Sequence, residues 1–241
     1  MEAVRILPAG DSAVVVEFGD TIDPAINAWV QALARQLKEE AVQGVTEMVP
    51  TYRSLMVLYD PMQISFSCLQ KRLKSSLKRL KFGHAATSRT LLVPCCYDGQ
   101  DLQEVAKLHQ MEEEEVIRLH SSVDYPVYML GFLPGFVYLG GLDERLHTPR
   151  LDSPRKSIPA GSVGIGGSQT GIYPIASPGG WRLIGRTPLV MYDPDRESPI
   201  LAEAGDVIRF VPILPEEFEA IHRAVIAGTW RPQYLNRGEE A

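Results

Sequence analysis

The sequence has little that could form a covalent or metal cross-link. Only three of its 241 residues are cysteines, Cys68, Cys95 and Cys96. Adjacent cysteines rarely bridge each other, and an odd number of thiols without CxxC spacing is typical of a reducing compartment. The five histidines form no HxxxH pair, which is one spacing that binds zinc. These absences exclude a disulfide scaffold, and we predict no metal site in the chain.

Long hydrophobic runs are also missing. No apolar segment approaches the roughly 20 residues that a membrane-spanning helix needs. The first residues, MEAVRILPAGDSAVVVEF, include an early acid and lack an apolar core followed by a small-residue cleavage site. We therefore expect a cytoplasmic protein that does not insert into membranes.

Nucleotide and nucleic-acid motifs are weak. There is no GxxxxGK[ST] loop, and Gln169 occupies the place of the third glycine in the only GxGxxG-like stretch. Residues 1–85 carry 10 basic and 9 acidic side chains, so 14 and 21 of the chain totals of 24 and 30 remain for residues 86–241. A C-terminal part with a net charge of −7 argues against nucleic acid as a partner.

Glycine, by contrast, is concentrated in one region. Twelve of the 20 glycines lie between Gly131 and Gly185, where aromatic residues alternate with Gly and Pro and no helical periodicity is visible. Because glycine is costly to order, this density indicates tight turns or close approach of the backbone. We predict short strands and loops that line a groove. Its expected lining residues are Phe132, Pro134, Phe136, Tyr138 and Trp181.

The remaining pattern predicts two domains. In residues 1–85, alternating strands and amphipathic helices occur in the order ββαββα, with Asp23 and Ser65 as helix caps. Residues 83–88 are a plausible linker. Residues 86–241 contain two short helices, many short strands with glycine turns, which favour a closed barrel or sandwich, and a helical tail. The fold class is α+β.

Several polar side chains within this region are candidates for chemistry. A groove of aromatic residues with a few fixed donors is the usual form of a small-molecule site, and arginine can clamp a carboxylate or phosphate. Structural roles are as common for such arginines, and no helix follows Ser162 as a nucleophile elbow requires. His120 ends a predicted helix, where it either caps the carbonyls as a cation or contacts substrate. The candidates for substrate or phosphate binding are Arg150, Arg155, Ser162, Thr170 and Arg182.

Four stretches carry a family resemblance: GFLPGFVYLGGLDERLHTPR, PAGSVGIGGSQTGIYP, SPGGWRLIGRTP and GDVIRFVPI. They resemble the allophanate hydrolase subunit 1 family, which includes the B subunit of bacterial 5-oxoprolinase and the sporulation kinase inhibitor KipI. The resemblance implies a ferredoxin-like α/β domain in residues 1–85 and a cyclophilin-like β-barrel domain in residues 86–241. Only the loop around Cys95 and Cys96 looks shorter than in many relatives.

The resemblance also implies a function. Family members act with an A subunit and a carboxyltransferase-like C subunit in cleaving 5-oxoproline to glutamate with ATP, which is expected to bind mainly on a partner. In that reaction His120, Gln169 and Tyr173 would orient the lactam or a water, and the chain alone would be inactive. Two alternatives stay open: an inhibitor of a sensor histidine kinase, and a non-catalytic scaffold.

Overall fold

The computed structural model describes residues 4–80 and 89–236, and it divides the chain into two compact units, Met1–Ala86 and Thr87–Ala241. The linker predicted at residues 83–88 lies outside the described residues. None of the helices described is long and apolar enough to cross a membrane. Both units mix helices with mainly antiparallel sheets, which confirms the α+β class.

The first unit consists of two β-hairpins, each followed by a helix. Its elements are β1 (Arg5–Pro8), β2 (Ala13–Glu17), α1 (Pro24–Glu39), β3 (Val45–Pro50), β4 (Ser54–Tyr59) and α2 (Phe66–Arg79). The strands form an antiparallel sheet in the order β1-β2-β4-β3. The predicted ββαββα order is thus confirmed. It differs from the βαββαβ order of a ferredoxin-like fold, so that name stays a prediction.

Side-chain N-caps explain where both helices begin. The Asp23 carboxylate accepts hydrogen bonds from two backbone amides of the first turn of α1, and the Ser65 hydroxyl accepts one in α2. One face of each helix packs on the sheet, where Leu33, Leu69 and Leu73 are fully buried. This apolar core makes the first unit a self-contained packing unit.

The second unit is built on an eight-stranded sheet. Its elements are β5 (Arg89–Cys95), α3 (Leu102–Leu108), α4 (Glu113–Ser121), β6 (Asp124–Leu130), β7 (Val137–Leu139), β8 (Arg155–Ile158), β9 (Ser162–Gly166), β10 (Gln169–Ile172), β11 (Ser177–Gly179), β12 (Arg182–Arg186), β13 (Val207–Pro212), α5 (Pro215–Ile226) and β14 (Gln233–Asn236). The strand order is β12-β9-β10-β7-β6-β13-β5-β14, and β8 pairs with β11 separately. Only the β5–β13 pair is parallel among the strands described.

The expected closed barrel is not seen in the described part of the chain. The free edge of β5 is taken by β14 along Arg89–Leu92, so β12 reaches this strand only beyond its end. There Cys96 and Arg186 form an isolated bridge with two hydrogen bonds of 2.8 Å. The edge strand β12 therefore approaches the end of β5 at one bridge, and no continuous ladder closes the sheet.

Two features of this unit differ from what the sequence pattern indicates. Residues 189–192 have the pattern of a strand, but only Tyr192 pairs, in an isolated bridge with Ile200. Leu189 and Met191 are nevertheless buried in the main core, so the alternation reflects burial of a loop. Strand β14 is not predicted, because its four residues carry no alternating pattern.

Candidate active site

A tight loop between β6 and β7 presents an exposed aromatic ring. The Phe136 amide donates to the Leu133 carbonyl at 3.0 Å, with Pro134 second and Gly135 third at a φ of 79°. This is the residue pattern of a type II turn. The Gly131 amide closes the loop on the Phe136 carbonyl at 3.2 Å. The turn holds the loop away from the core, and Pro134 lies exposed at its tip.

Phe132 has a strained backbone in this loop. Its φ is 68°, a left-handed value that bulky residues rarely adopt, and its side chain is 66% exposed. Such strain costs about 1–3 kcal/mol and is concentrated at binding sites. The loop therefore displays an apolar ring on the surface, beside the aromatic residues that follow it.

Phe136 is the centre of an aromatic cluster. Its ring centroid lies 5.0 Å from that of Tyr138, 5.4 Å from Tyr173 and 5.5 Å from Trp181. The contacts to Tyr173 and Trp181 are edge-to-face, a preferred aromatic geometry. Phe136, Tyr173 and Trp181 are all buried. The cluster is separate from the main core of the second unit, and the exposed Phe132 ring packs against it through Phe136.

The glycines of β9 and β10 make room for the Trp181 indole. A Cβ at Gly166 would lie 2.4 Å from the indole ring, and one at Gly171 would lie 3.1 Å from it. Any side chain at Gly166 would therefore displace the ring. The unusual glycine density predicted from the sequence has this packing as one physical cause.

The aromatic cluster forms one wall of a small pocket of about 110 Å³. The pocket is lined by Phe132, Phe136, Tyr138, Arg150, Tyr173, Trp181 and the run Pro178–Gly180. Its volume has room for three or four waters at their liquid volume of about 30 Å³ each. We call this site the aromatic pocket. It brings together the four aromatic residues expected in the groove, the predicted Tyr173 and one predicted arginine.

Arg150 is the cation of the aromatic pocket. Its guanidinium carbon lies 5.8 Å from the Trp181 ring centroid, and its side chain is exposed. Among the residues that the structure describes, Arg150 makes no ion pair or hydrogen bond. An unpaired guanidinium at the mouth of an aromatic pocket is suited to an anionic group such as a carboxylate.

Two phenol groups accompany this cation. Burial raises the pKa of both Tyr138 and Tyr173. The nearby positive charge of Arg150 partly offsets this rise for Tyr138, and a backbone hydrogen bond with Trp181, followed by the charge of Arg150, does so for Tyr173. Both phenols therefore remain protonated at neutral pH. The Tyr173 hydroxyl is therefore a hydrogen-bond donor in the lining of the pocket.

Arg155 and Arg182, also predicted to bind substrate, are engaged elsewhere. Arg155 Nη2 donates to Asp101 Oδ1 at 2.6 Å, and its Nη1 donates to the Trp181 carbonyl at 3.1 Å. Arg182 Nη1 pairs with Glu104 at 2.5 Å. Both arginines thus tie β8 and β12 to helix α3. Arg155 thereby positions Trp181, and the role of the two arginines as anion clamps stays a prediction that these ion pairs do not support.

Asp101 completes this support. It stands at the N-cap of α3 but makes no capping bond. Instead, its second oxygen accepts a hydrogen bond of 2.6 Å from the Leu183 amide. The carboxylate therefore joins the helix to β12, the strand that directly follows Trp181.

His120 lies in the core, which corrects its predicted role. It is fully buried, and burial lowers its pKa from 6.5 to about 3. Its Nδ1 lies 2.7 Å from Tyr97 Oη and its Nε2 lies 2.8 Å from Thr170 Oγ1, which donates to the Gly164 carbonyl at 3.0 Å. Thr170 must then accept from Nε2–H. The imidazole is a neutral link between α4 and the sheet, and neither a helix-capping cation nor a substrate contact.

The other predicted residues do not line the aromatic pocket. Ser162 and Thr170 are buried in β9 and β10, and Gln169 is half-buried at the start of β10. Conversely, sequence reasoning missed the Pro178–Gly180 run as a lining element. A Cβ at Gly179 would lie 2.4 Å from Tyr173 Oη. Two successive glycines before a tryptophan were the available signal.

A second, larger cavity was also missed. It encloses about 640 Å³ between the loop 189–203, the end of α5 and the segment leading into β14. We call it the C-terminal cleft. In the described ranges, 4–80 and 89–236, no three His, Cys, Asp or Glu side chains are grouped so that they could hold a metal ion.

Comparison with known proteins identifies relatives along most of the chain. Residues 4–202 match the family model for the carboxyltransferase domain, subdomain C and D. The 5-oxoprolinase B subunit of Bacillus subtilis is 43% identical over 229 residues, which cover 90% of this chain and 95% of that protein. The 5-oxoprolinase B subunit of Haemophilus influenzae is 44% identical over 211 residues, covering 86% and 97%.

A solved structure has the same fold. The crystal structure of TTHA0988 superposes with a TM-score of 0.77 at 39% identity. The alignment covers 84% of this chain but only 40% of TTHA0988, so there the fold is part of a longer polypeptide. The family resemblance of the glycine-rich stretches is thereby confirmed: this chain belongs to the carboxyltransferase subdomain C and D family, together with the B subunits of 5-oxoprolinase.

Proposed function

We propose that this chain is the B subunit of an ATP-dependent 5-oxoprolinase. The observation that carries the proposal is its similarity to two 5-oxoprolinase B subunits along nearly their whole length. The aromatic pocket supports it, because a five-membered lactam with one carboxylate is a small, flat anion. Such a molecule matches a pocket with aromatic walls and one unpaired arginine.

In the proposed complex, Arg150 binds the carboxylate of 5-oxoproline. The ring of the substrate lies against Phe136 and Trp181, and the phenol of Tyr173 donates to the lactam oxygen. Because these rings are packed against each other before any ligand arrives, the site is preorganised and little entropy is lost on binding. Aromatic walls also exclude water from the activated substrate.

The chemistry requires a second substrate. A lactam resists water, so the γ-phosphoryl group of ATP is transferred to the lactam oxygen, and ADP leaves. Water then attacks the activated carbon, the ring C–N bond breaks as the nitrogen takes a proton, and phosphate is released with glutamate. This chain contributes binding and orientation, and the phosphoryl-transfer groups belong to the assembled complex.

The partners in this proposal are the A subunit and the carboxyltransferase-like C subunit. The longer chain of TTHA0988, of which this fold is 40%, supports association with a further domain. Phe132 is suited to such contact, because a partner that covers its exposed ring removes apolar surface from water, which stabilises the complex. We infer that the chain alone does not hydrolyse 5-oxoproline.

The test is 5-oxoproline-dependent ATP hydrolysis, measured with this chain alone and after co-expression with the A and C subunits. We expect turnover only in the mixture. If three folded proteins show no turnover in either sample, the proposal fails. Inhibition of the autophosphorylation of a sensor kinase by this chain would then support the kinase-inhibitor alternative.

A further inference from the structure

Asp101 stands at the start of α3 but does not serve as a helix cap. Aspartate is a preferred N-cap residue because its side chain accepts a hydrogen bond from the first turn of a helix. Within the described helix, however, the Asp101 carboxylate makes no such bond. The residue is only 5% exposed, and burying a charge is costly unless it is paired. The reason for this carboxylate therefore lies in its partners outside α3.

Each oxygen of the Asp101 carboxylate faces one donor. Its Oδ1 accepts from Arg155 Nη2 at 2.6 Å, and its Oδ2 accepts from the Leu183 amide at 2.6 Å. The Asp101 amide in turn donates to the Leu183 carbonyl at 2.9 Å. Short bonds of this kind are typical of charged acceptors. One carboxylate thus binds a side chain of β8 and the backbone of β12 at the same time.

The backbone before Asp101 lies directly against β12. The Gly99 amide donates to the Ile184 carbonyl at 3.2 Å. A Cβ at Gly99 would lie only 2.3 Å from the Ile184 carbonyl carbon, so the approach requires a glycine. The place of Asp101 along β12 is therefore fixed by the backbone as well as by its side chain.

These contacts hold the segment that supplies one side of the aromatic pocket. Residues 178–181 line the pocket. Arg155 lies opposite Gly179 in the β8–β11 pair, and its Nη1 donates to the Trp181 carbonyl at 3.1 Å. Leu183, the other partner of the carboxylate, follows two positions after Trp181. The lining segment is therefore held on both sides of Trp181 by a single buried carboxylate.

We propose that Asp101 is a positioning residue of the aromatic pocket. It does not line the pocket, and it acts through Arg155 and Leu183, which set where Trp181 lies. The effect of this placement on 5-oxoproline rests on the proposed function, because that function puts the substrate ring against Trp181. The placement itself does not depend on the identity of the substrate.

The two contacts require a carboxylate and not merely a side chain of this shape. Asparagine has the same shape, but it offers one acceptor oxygen and one NH₂ group. Its NH₂ group would face either the Arg155 guanidinium or the Leu183 amide, and a donor that faces a donor is left unsatisfied. An unsatisfied buried donor costs free energy. Asp101→Asn therefore removes one of the two contacts without creating a cavity.

The three tryptophans of the chain allow the position of Trp181 to be followed separately. Trp29 lies in the first unit, Trp181 in the aromatic pocket and Trp230 in the C-terminal cleft. Their indole N–H signals can be recorded by NMR of the ¹⁵N-labelled full chain and assigned with W29F and W230F. We expect Asp101→Asn to shift the Trp181 signal and to leave the other two in place.

Arg155→Gln tests whether the effect passes through the ion pair. It breaks the same pair from the more exposed partner, whose side chain is 24% exposed, and should also shift the Trp181 signal. In this background Asp101→Asn should add little, because asparagine can turn its oxygen to the Leu183 amide without facing a guanidinium. Such non-additivity is the mark of two residues that act through one contact. Arg155→Gln also carries the test if Asp101→Asn does not fold.

Asp206 offers a matched control in the same unit. It is buried as well, and its carboxylate also joins an arginine to a backbone amide, accepting from Arg89 at 2.8 Å and from the Glu203 amide at 2.9 Å. Arg89 lies over the ring of Tyr234, whose hydroxyl donates to the Leu201 carbonyl at 2.7 Å, so this ring is fixed in the lining of the C-terminal cleft. The control thus breaks a similar ion pair at the other cavity.

The kinetic readout separates positioning from stability. Asp206→Asn should lower the denaturant midpoint but leave the Trp181 signal and the KM for 5-oxoproline at their wild-type values. In the assembled complex, Asp101→Asn should raise the KM for 5-oxoproline about tenfold, because a displaced ring no longer fits the substrate. The KM for ATP should change much less in both variants.

Three results would overturn the inference. They are a wild-type Trp181 signal in folded Asp101→Asn or Arg155→Gln, an equal shift of that signal in Asp206→Asn, and a wild-type KM for 5-oxoproline although Trp181 has moved. The proposed function fails separately. A moved Trp181 signal in a complex that never turns over 5-oxoproline refutes only the oxoprolinase, and an active complex with an unmoved Trp181 in the variants refutes only the positioning role.

Discussion

The aromatic pocket and the C-terminal cleft lie in the same unit but are built on different principles. The aromatic pocket has interlocked rings, about 110 Å³ of space and one unpaired cation. The C-terminal cleft has about 640 Å³, three arginines and several carboxylates, with a fixed tyrosine and a half-buried tryptophan. The aromatic pocket restricts the shape of a ligand through its packed rings, whereas the C-terminal cleft is wider and carries side chains of both charges. This difference teaches that one sheet can support both a small pocket with rigid aromatic walls and a wider cleft with charges of both signs.

The two sites also differ in how the chain reaches them. The lining of the aromatic pocket comes from one stretch, Phe132 to Trp181, whereas that of the C-terminal cleft comes from β5, the loop 189–203 and the last segment. Substitutions in the glycine-rich stretch should therefore affect one site alone. The predictions below test this separation.

The largest effect is expected at the hub of the aromatic cluster. Phe136→Ala removes a buried ring that contacts four others, and we expect a loss of about 3–5 kcal/mol in the free energy of unfolding. Denaturant unfolding of the full chain measures it. Phe132→Ala is the matched control: its ring is 66% exposed, so stability should change little while binding to partner subunits weakens. Equal destabilisation by the two variants would contradict the central packing role of Phe136 in the aromatic cluster.

The next effect concerns the space that Gly166 leaves for the Trp181 indole. Gly166→Ala places a methyl group 2.4 Å from the indole, and overpacking of this kind costs about 1–3 kcal/mol. In NMR spectra of the ¹⁵N-labelled chain, the indole N–H signal of Trp181 should move and that of Trp230 should not. Gly131→Ala is the control, because its Cβ would meet only the Met129 Cε at 3.6 Å. Coupled movement of both signals would break the proposed independence of the two sites.

Sequence reasoning predicted the first unit well because each of its signals is local. Asp23 and Ser65 cap helices through neighbouring amides, and the apolar periodicity of the helices follows directly from their burial. The rings of the aromatic pocket were also predictable, since glycines that alternate with aromatic residues let a backbone approach the rings closely. In both cases the cause lies within a few positions of its effect.

Long-range pairing was not predictable in the same way. Arg155 looked like Arg150 in the sequence, but Asp101, 54 positions away, pairs with it at 2.6 Å. His120 looked like a helix-end cation, yet its partners Tyr97 and Thr170 come from distant segments. Whether a polar side chain is free for a ligand depends on such partners. The C-terminal cleft was not predicted either, because its lining residues come from segments that are far apart in the sequence.

The pH dependence of stability tests the buried hydrogen bonds of His120 with Tyr97 and Thr170. His120 has a folded-state pKa of about 3 against 6.5 when unfolded, so the unfolded chain binds the extra proton between these values. The stability it contributes is complete above pH 6.5 and falls by about 1.4 kcal/mol per unit as the pH drops toward 3.

His120→Gln removes this titration. Its absolute stability should fall because the link to Thr170 is altered, but its pH slope between pH 6 and 4 should be shallower than that of the wild type by about one proton. The carboxylates titrate in both proteins and cancel in the difference. Identical slopes would mean that the imidazole is protonated in the folded state and that the neutral hydrogen-bond chain is wrong.

The smallest effect separates Arg150, which is unpaired, from the ion-paired Arg182. Arg150→Gln should raise the KM for 5-oxoproline about tenfold in the assembled complex, because one charge-assisted contact to the carboxylate is lost. The KM for ATP should change much less, since Arg150 is proposed to contact only the carboxylate of 5-oxoproline. Arg182→Gln is the comparison, because its guanidinium is held by Glu104 at 2.5 Å and its loss should reduce stability before affinity. If Arg182→Gln raised this KM more than Arg150→Gln in equally stable proteins, the ion-paired arginine would be the substrate clamp, and the aromatic pocket would lose its anchor.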